Sequence, residues 1–184
     1  GAMKPSRMLK MEHHEIGRAL KIIKSQAEKI EADREIDPSI ISGTIFFLKE
    51  FGDRCHHSKE ERVIFPVVER AGGDIGNSLV KVLVTDHKIG RELLAAISEI
   101  NEAYGRGERD LDKNLAKEMF EYVTHMVSHI RAENTTLSDL MDQVFSYDEG
   151  EALYQQCGTI EEEIPESHQE LVTTLERIED DLAA

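Results

Sequence analysis

The chain has 184 residues, of which 32% are charged and 5% aromatic, and a formal net charge of −15. That length suits one domain, large enough to bury roughly two-thirds of the surface its unfolded chain exposes. An acidic chain with no basic cluster has no electrostatic footprint for nucleic acid or anionic lipid, and no apolar run reaches the roughly 18 residues of a membrane span.

Gly1-Ala2-Met3 reads as an expression-tag scar, and residues 1–5 as a disordered N-terminus. Leu9, His14, Ile16, Leu20, Ile23, Ala27 and Ile30 follow a helical rhythm that predicts a first long helix over 6–33. Asp37-Pro38 is an N-cap and first-turn pair. It starts a second helix that runs through Ile41, Ile45, Leu48 and Phe65 to about residue 70, ahead of Gly72-Gly73. A third is predicted over 75–104, stopping at Gly105-Arg106-Gly107, and a fourth over 110–145. No alternating β-branched run signals a strand. Four long helices on short loops predict an all-α fold, an up-down-up-down antiparallel four-helix bundle over 6–147.

Residues 148–184 read as an acidic helical extension. They carry 12 acids and one base, Arg177, so −11 of the −15 lies there. One short helix is predicted over 148–158, closed by Gly158, and another with Pro165 in its first turn. In the second, Leu171, Leu175, Ile178 and Leu182 form an apolar stripe that needs a partner, because an acidic helix this short is marginal alone.

The most informative pattern is a duplication. His14, His56 and Glu60 recur 73 residues later as His87, His129 and Glu133, and the text around His14 (His-Glu-Ile-Gly-Arg-Ala-Leu) resembles that around His87 (His-Lys-Ile-Gly-Arg-Glu-Leu). In an antiparallel bundle all four histidines fall at one height, about 27 Å from the hairpin loops at about 1.5 Å per residue. His56/Glu60 and His129/Glu133 are i, i+4 pairs, so each imidazole shares a helix face with its carboxylate. Four histidines and two glutamates can supply terminal nitrogens and bridging carboxylates to two metal ions. The alternatives His13, His57 and Glu61 are set aside because their counterparts at the same interval, Asp86, Ile130 and Asn134, preserve no ligand type.

Other residues leave their roles open. His125, one turn before His129, is an extra ligand, a supporting histidine or a packed one. Arg18 and Arg91 anchor acids behind the ligands or make surface salt bridges. Cys55 reads as a small core residue, Cys157 has no assigned function, and Met8, Met11, Met119, Met126 and Met141 read as core fillers. Two cysteines in unrelated contexts form no disulfide framework, and the first 20 residues lack a signal-peptide core, so the cytoplasm is expected.

The segments Arg54-Cys-His56-His-Ser-Lys-Glu60-Glu-Arg-Val-Ile-Phe-Pro66, Asp86-His87-Lys-Ile-Gly-Arg91 and His129-Ile-Arg-Ala-Glu133-Asn134 resemble the hemerythrin-like HHE cation-binding domain, over about residues 6–145. The resemblance implies a four-helix bundle with a bridged non-haem di-iron centre near one end. It implies His14, His56, His87 and His129 as terminal ligands, with Glu60 and Glu133 bridging, and two iron ions as cofactor. Ligand chemistry alone admits zinc, manganese or cobalt as well. Two departures stand out. Thr136-Leu-Ser-Asp139 replaces the family's usual Leu-Phe-Pro, so the fourth helix is expected to continue. Arg91 stands where oxygen-carrying hemerythrins place a fifth histidine, which argues against simple oxygen carriage.

The function this implies is binding or sensing of O2 or a related small oxidant at the bundle core. The alternatives are an enzyme handling NO or peroxide, an iron donor in iron–sulfur cluster repair, and a structural metal site. For the tail, three readings stand: a lid over the metal-bearing end, a homodimer contact, or disorder.

Overall fold

The computed structural model describes residues 3–184, so Gly1 and Ala2 of the expected tag scar lie outside the described residues. Among those described there are helices and no strand. Helix α1 (Pro5–Glu31) starts one residue earlier than expected, with Pro5 buried in its first turn. Helix α2 spans 38–71. It begins at Pro38–Phe47, where the Asp37 side chain accepts a hydrogen bond from Ser39 N–H, continues as wide π-type turns over Leu48–His57 and Glu60–Ile64, and ends as Phe65–Ala71. Helix α3 is Gly73–Gly105. Helix α4 spans 112–144, as Asp112–Ala132, a wide turn at Glu133–Leu137, and Ser138–Val144, so it does continue past Thr136. Helices α5 (Tyr147–Glu161) and α6 (His168–Ala183) follow.

Cross-helix contacts give the directions. Lys113 at the start of α4 reaches the Ile30 carbonyl at the end of α1, while Ser6 at the start of α1 bonds Asp142 at the end of α4, so these two run antiparallel. Asn101 late in α3 donates to the Pro38 carbonyl that opens α2, and Arg91 reaches Asp53 midway along both. The α2–α3 corner depends on glycine: Gly73 has φ +62, and a Cβ on Gly76 would lie 2.3 Å from the Val68 carbonyl oxygen.

The apolar interior is split in two. The larger cluster includes Ile16, Ile23, Phe47, Phe51, Ile97 and Met119; the smaller includes Leu9, Ile64, Phe65, Leu83, Leu137 and Met141. Along each of α1 to α4 the buried histidines and glutamates (His13, His56, Glu60, His87, His129 and Glu133 among them) fall between these clusters, so they lie inside the molecule and not at an open end.

The tail departs from its expected form. Helix α5 runs through Gly158 because Leu153, Cys157 and Ile160 recur at helical spacing and pack into the smaller cluster. That burial outweighs the roughly 1 kcal/mol a glycine costs inside a helix. Pro165 lies in the link, and α6 starts instead at a capping box in which Ser167 and Glu170 satisfy each other's backbone N–H. The stripe of α6 lies on the chain's own bundle: Leu171 and Leu175 are buried in the larger cluster, with Ile178 and Leu182 against it. The partner this stripe needed is thus the chain's own bundle. The end of α5 and the start of α6 both reach the middle of α2, where Glu161 pairs with Lys59 and His168 lies against Cys55.

Candidate metal centre

Five imidazoles and two carboxylates converge between the two apolar clusters: His13 from α1, His56, His57 and Glu60 from α2, His87 from α3, and His129 and Glu133 from α4. They form two groups. Donor atoms of His57, Glu60, His87 and His129 lie within 4.8 Å of one another, as do those of His13, His56, Glu60 and Glu133. Glu60 belongs to both. All seven are buried, none more than 7% exposed. Inside, Nε2 of His87 is 3.1 Å from that of His129 and 3.2 Å from Glu60, while Nε2 of His13 is 2.9 Å and that of His129 3.3 Å from Glu133.

The outward nitrogens explain why the inner ones point inward. Nδ1 of His13 donates to Asn134 at 2.6 Å, that of His56 to Glu12 at 2.8 Å, that of His57 to Asp53 at 2.9 Å and that of His129 to Asp86 at 3.0 Å. Nδ1 of His87 faces Glu61 at 3.5 Å. An imidazole whose single N–H is committed to an acceptor on one side presents a lone pair on the other, the arrangement that metal-ligating histidines use. With its Nδ1 proton committed to Asn134, the neutral His13 ring turns its Nε2 lone pair to the Glu133 carboxylate at 2.9 Å, a pairing that a proton on Nε2 or a bound cation satisfies.

The site's titration carries the same signature. Burial and the neighbouring Glu133 charge push Glu60 well above the usual carboxylate range. Burial also works to raise Glu133, but its contacts to Glu60, His129, His13 and His56 outweigh it and hold that acid well below. Burial and the adjacent His87 push His57 down to about 3. Nε2 of His56, both oxygens of Glu60, Nδ1 of His87 and Oε2 of Glu133 have no hydrogen-bond partner although they are shut off from solvent. Buried polar atoms are rarely left so, and their concentration here fits missing positive charge. A mixed nitrogen and carboxylate donor set suits iron, and equally zinc, manganese or cobalt.

Of the six residues singled out by the duplication, His56, Glu60, His87, His129 and Glu133 come together here, and His14 does not. His14 is exposed on α1 and His13 takes its place. The cause is phase. Leu9, His13, Ile16, Leu20, Ile23, Ala27 and Ile30 step by three and four, whereas His14 breaks that count. The copied letters carry different faces in their two settings: Ile16 is 1% exposed, and its counterpart Ile89 is 39% exposed. The apolar rhythm of α1 was therefore the signal that selects His13.

His57 was set aside for lack of a repeat partner, and it too belongs to the cluster. Its ring stacks on His87 with centroids 3.8 Å apart. The wide turns explain its presence. With i→i+5 bonding more residues fit in each turn, and Cys55, His56 and His57 are consecutively buried.

Comparison with known proteins agrees with this geometry. The hemerythrin HHE cation-binding domain matches residues 4–141. The chain belongs to that family. Uncharacterized proteins Rv1995 of Mycobacterium tuberculosis (strain ATCC 25618 / H37Rv) and Mb2018 of Mycobacterium bovis are each 25% identical to it over 138 residues, 75% of this chain. The chain spans about half, 53%, of the length of these relatives.

Within this hemerythrin domain the remaining residues sort themselves. Arg91 binds Asp53 through Nε at 2.8 Å and Glu61 through Nη2 at 2.5 Å, the two acids that back His57 and His87. Arg18 makes a salt bridge with Glu15 and with Glu179 of α6, neither of which bonds a residue of the cluster. His125 bonds the Asp86 carbonyl at 2.8 Å and stays outside the cluster. Cys55 is fully buried, its thiol pushed up to about 12 by burial, as a core residue should be. Met11 is 53% exposed and fills no core. A third grouping, Glu12, Glu161 and His168, resembles a ligand set. The Lys59 ammonium already bonds both of its carboxylates, so a fixed positive charge occupies that position.

Proposed function

We propose that this chain is a hemerythrin-like di-iron protein, an up-down-up-down bundle that binds or senses O2 or a related small oxidant. The observation behind this is the donor set: five inward imidazole nitrogens against two carboxylates, with orphaned buried atoms on both acids. His57, His87 and His129 would hold one iron, His13 and His56 the other, with Glu60 and Glu133 between them. When bound, such a pair supplies reducing electrons and coordination to a small ligand. Few anionic ligands leave lower-valent iron favoured, in contrast to four-glutamate ferritin-like sites, which argues against hydrocarbon oxidation. The protein's own residues do the rest. Asn134, Glu12, Asp53 and Asp86 fix the rings, and the two apolar clusters on either side shield the buried donors from bulk water. Buried free thiols at Cys55 and Cys157 support a reducing compartment, the cytoplasm.

The test is the visible spectrum of anaerobically reduced, iron-loaded protein as air and then NO is admitted. A charge-transfer band that appears with air and reverses on deoxygenation supports binding or sensing. Rapid consumption of NO or peroxide would make the protein an enzyme, and a spectrum indifferent to both would leave a structural metal site.

A further inference from the structure

We propose that Lys59 and Glu161 are positioning residues for the metal centre, through which the C-terminal extension holds the His56 side of the site. The proposal rests on the metal reading above. Lys59 is 0% exposed, and an ammonium so deeply buried persists only when paired. Its Nζ donates to Glu12 Oε2 at 2.6 Å and to Glu161 Oε1 at 2.5 Å. The other Glu12 oxygen accepts from His56 Nδ1 at 2.8 Å, and His56 Nε2 faces Glu60 at 3.5 Å. An unbroken chain of charge-assisted contacts therefore runs from α5, beyond the matched domain, to the centre.

Each link depends on the one outside it. Without Glu161, Lys59 keeps a single carboxylate and can turn toward the cavity of about 240 Å³ at the junction of α1, α5 and α6, which Met8, Glu12, Phe51 and His168 help to line. Glu12 would follow its ammonium and loosen its hold on the His56 ring. The structure contains its own control. Glu163, two residues along in the link that follows α5, is also tied to α2, through Arg62 at 2.7 and 3.0 Å, but that exposed pair bonds no residue that bonds a ligand.

The experiment compares Glu161→Ala and Glu163→Ala in the full chain. It measures iron per chain, the rate at which each ion passes to a ferrous chelator, and the visible spectrum of the cobalt(II)-loaded protein. Loss of support behind a ligand typically weakens metal affinity by about 10–100-fold. One of two ions should leave E161A about 10–100-fold faster, with the other unaffected and the cobalt spectrum altered. E163A should behave as wild type, and Glu161→Asp should restore much of the loss. Glu161→Gln, equal in volume, replaces the alanine variant if that one fails to fold. Wild-type kinetics in E161A and E161Q, or an equal effect from E163A, would overturn the proposal while leaving the metal reading intact. A wild-type chain that takes up no metal would overturn both.

Discussion

Replacing Glu60 with Met should destroy the metal site and yet stabilise the metal-free protein. Glu60 is completely buried and neither of its oxygens has a hydrogen-bond partner. An unsatisfied buried polar atom costs about 1–3 kcal/mol. Removing two should raise the stability of the apo chain by about 2–6 kcal/mol, since Met is unbranched and of similar length. In a domain of this size 1 kcal/mol corresponds to about 2–4 °C, so the apo variant should melt at least about 4 °C above apo wild type. With iron the order reverses. Wild type gains about 4 kcal/mol when free metal stands at 1,000 times its dissociation constant, and the variant, missing the ligand common to both groups, gains little. Calorimetric melts of both proteins, chelator-dialysed and iron-loaded, make the comparison. An apo E60M that melts below apo wild type, or one that keeps the full iron-dependent rise, would refute the reasoning.

Other consequences follow from single residues. His13→Ala should cost at least one iron per chain, and His14→Ala none, as read by metal analysis after anaerobic loading. His56 is raised to about 8 because Glu12 and Glu133 outweigh the effect of burial, so in the apo chain it binds a proton that the metal must displace. Apparent iron affinity should therefore fall as pH drops from 8 toward 6, by about tenfold per unit for one proton, in titrations at a series of pH values. Leu175, on the inner face of α6, is 0% exposed, and Leu175→Ala should cost about 2–5 kcal/mol by cavity formation and speed amide exchange in α6 before the rest.

Most of the bundle was legible because its signals were redundant. Asp37-Pro38, Gly72-Gly73 and the apolar rhythms each mark the same boundaries, and the matched heights of the histidines required antiparallel neighbours. The duplication located the centre but not its phase. Identical letters at a fixed interval do not guarantee identical faces, and at His13/His14 the rhythm of Leu9, Ile16 and Leu20 was the better guide. His57 was harder to find. Its entry depends on wide turns over Leu48–His57 and Glu60–Ile64, and the 3.6-residue count has no term for i→i+5 bonding. Gly158 misled for a related reason, since helix ends are set by whether burial beyond them repays a weak residue, and Cys157 and Ile160 do. Lys59 carries no sequence signal at all. A lysine amid exposed-looking charges reads as surface until Glu12 and Glu161, 47 and 102 residues away, are seen to close on it.

The most direct test of the seven-residue site is a crystal structure of the anaerobically iron-loaded chain with anomalous scattering at the iron edge. Two peaks are expected, one against His57, His87 and His129 and one against His13 and His56, with Glu60 reaching both. A single peak, none, or an ion held by His14 would contradict the account.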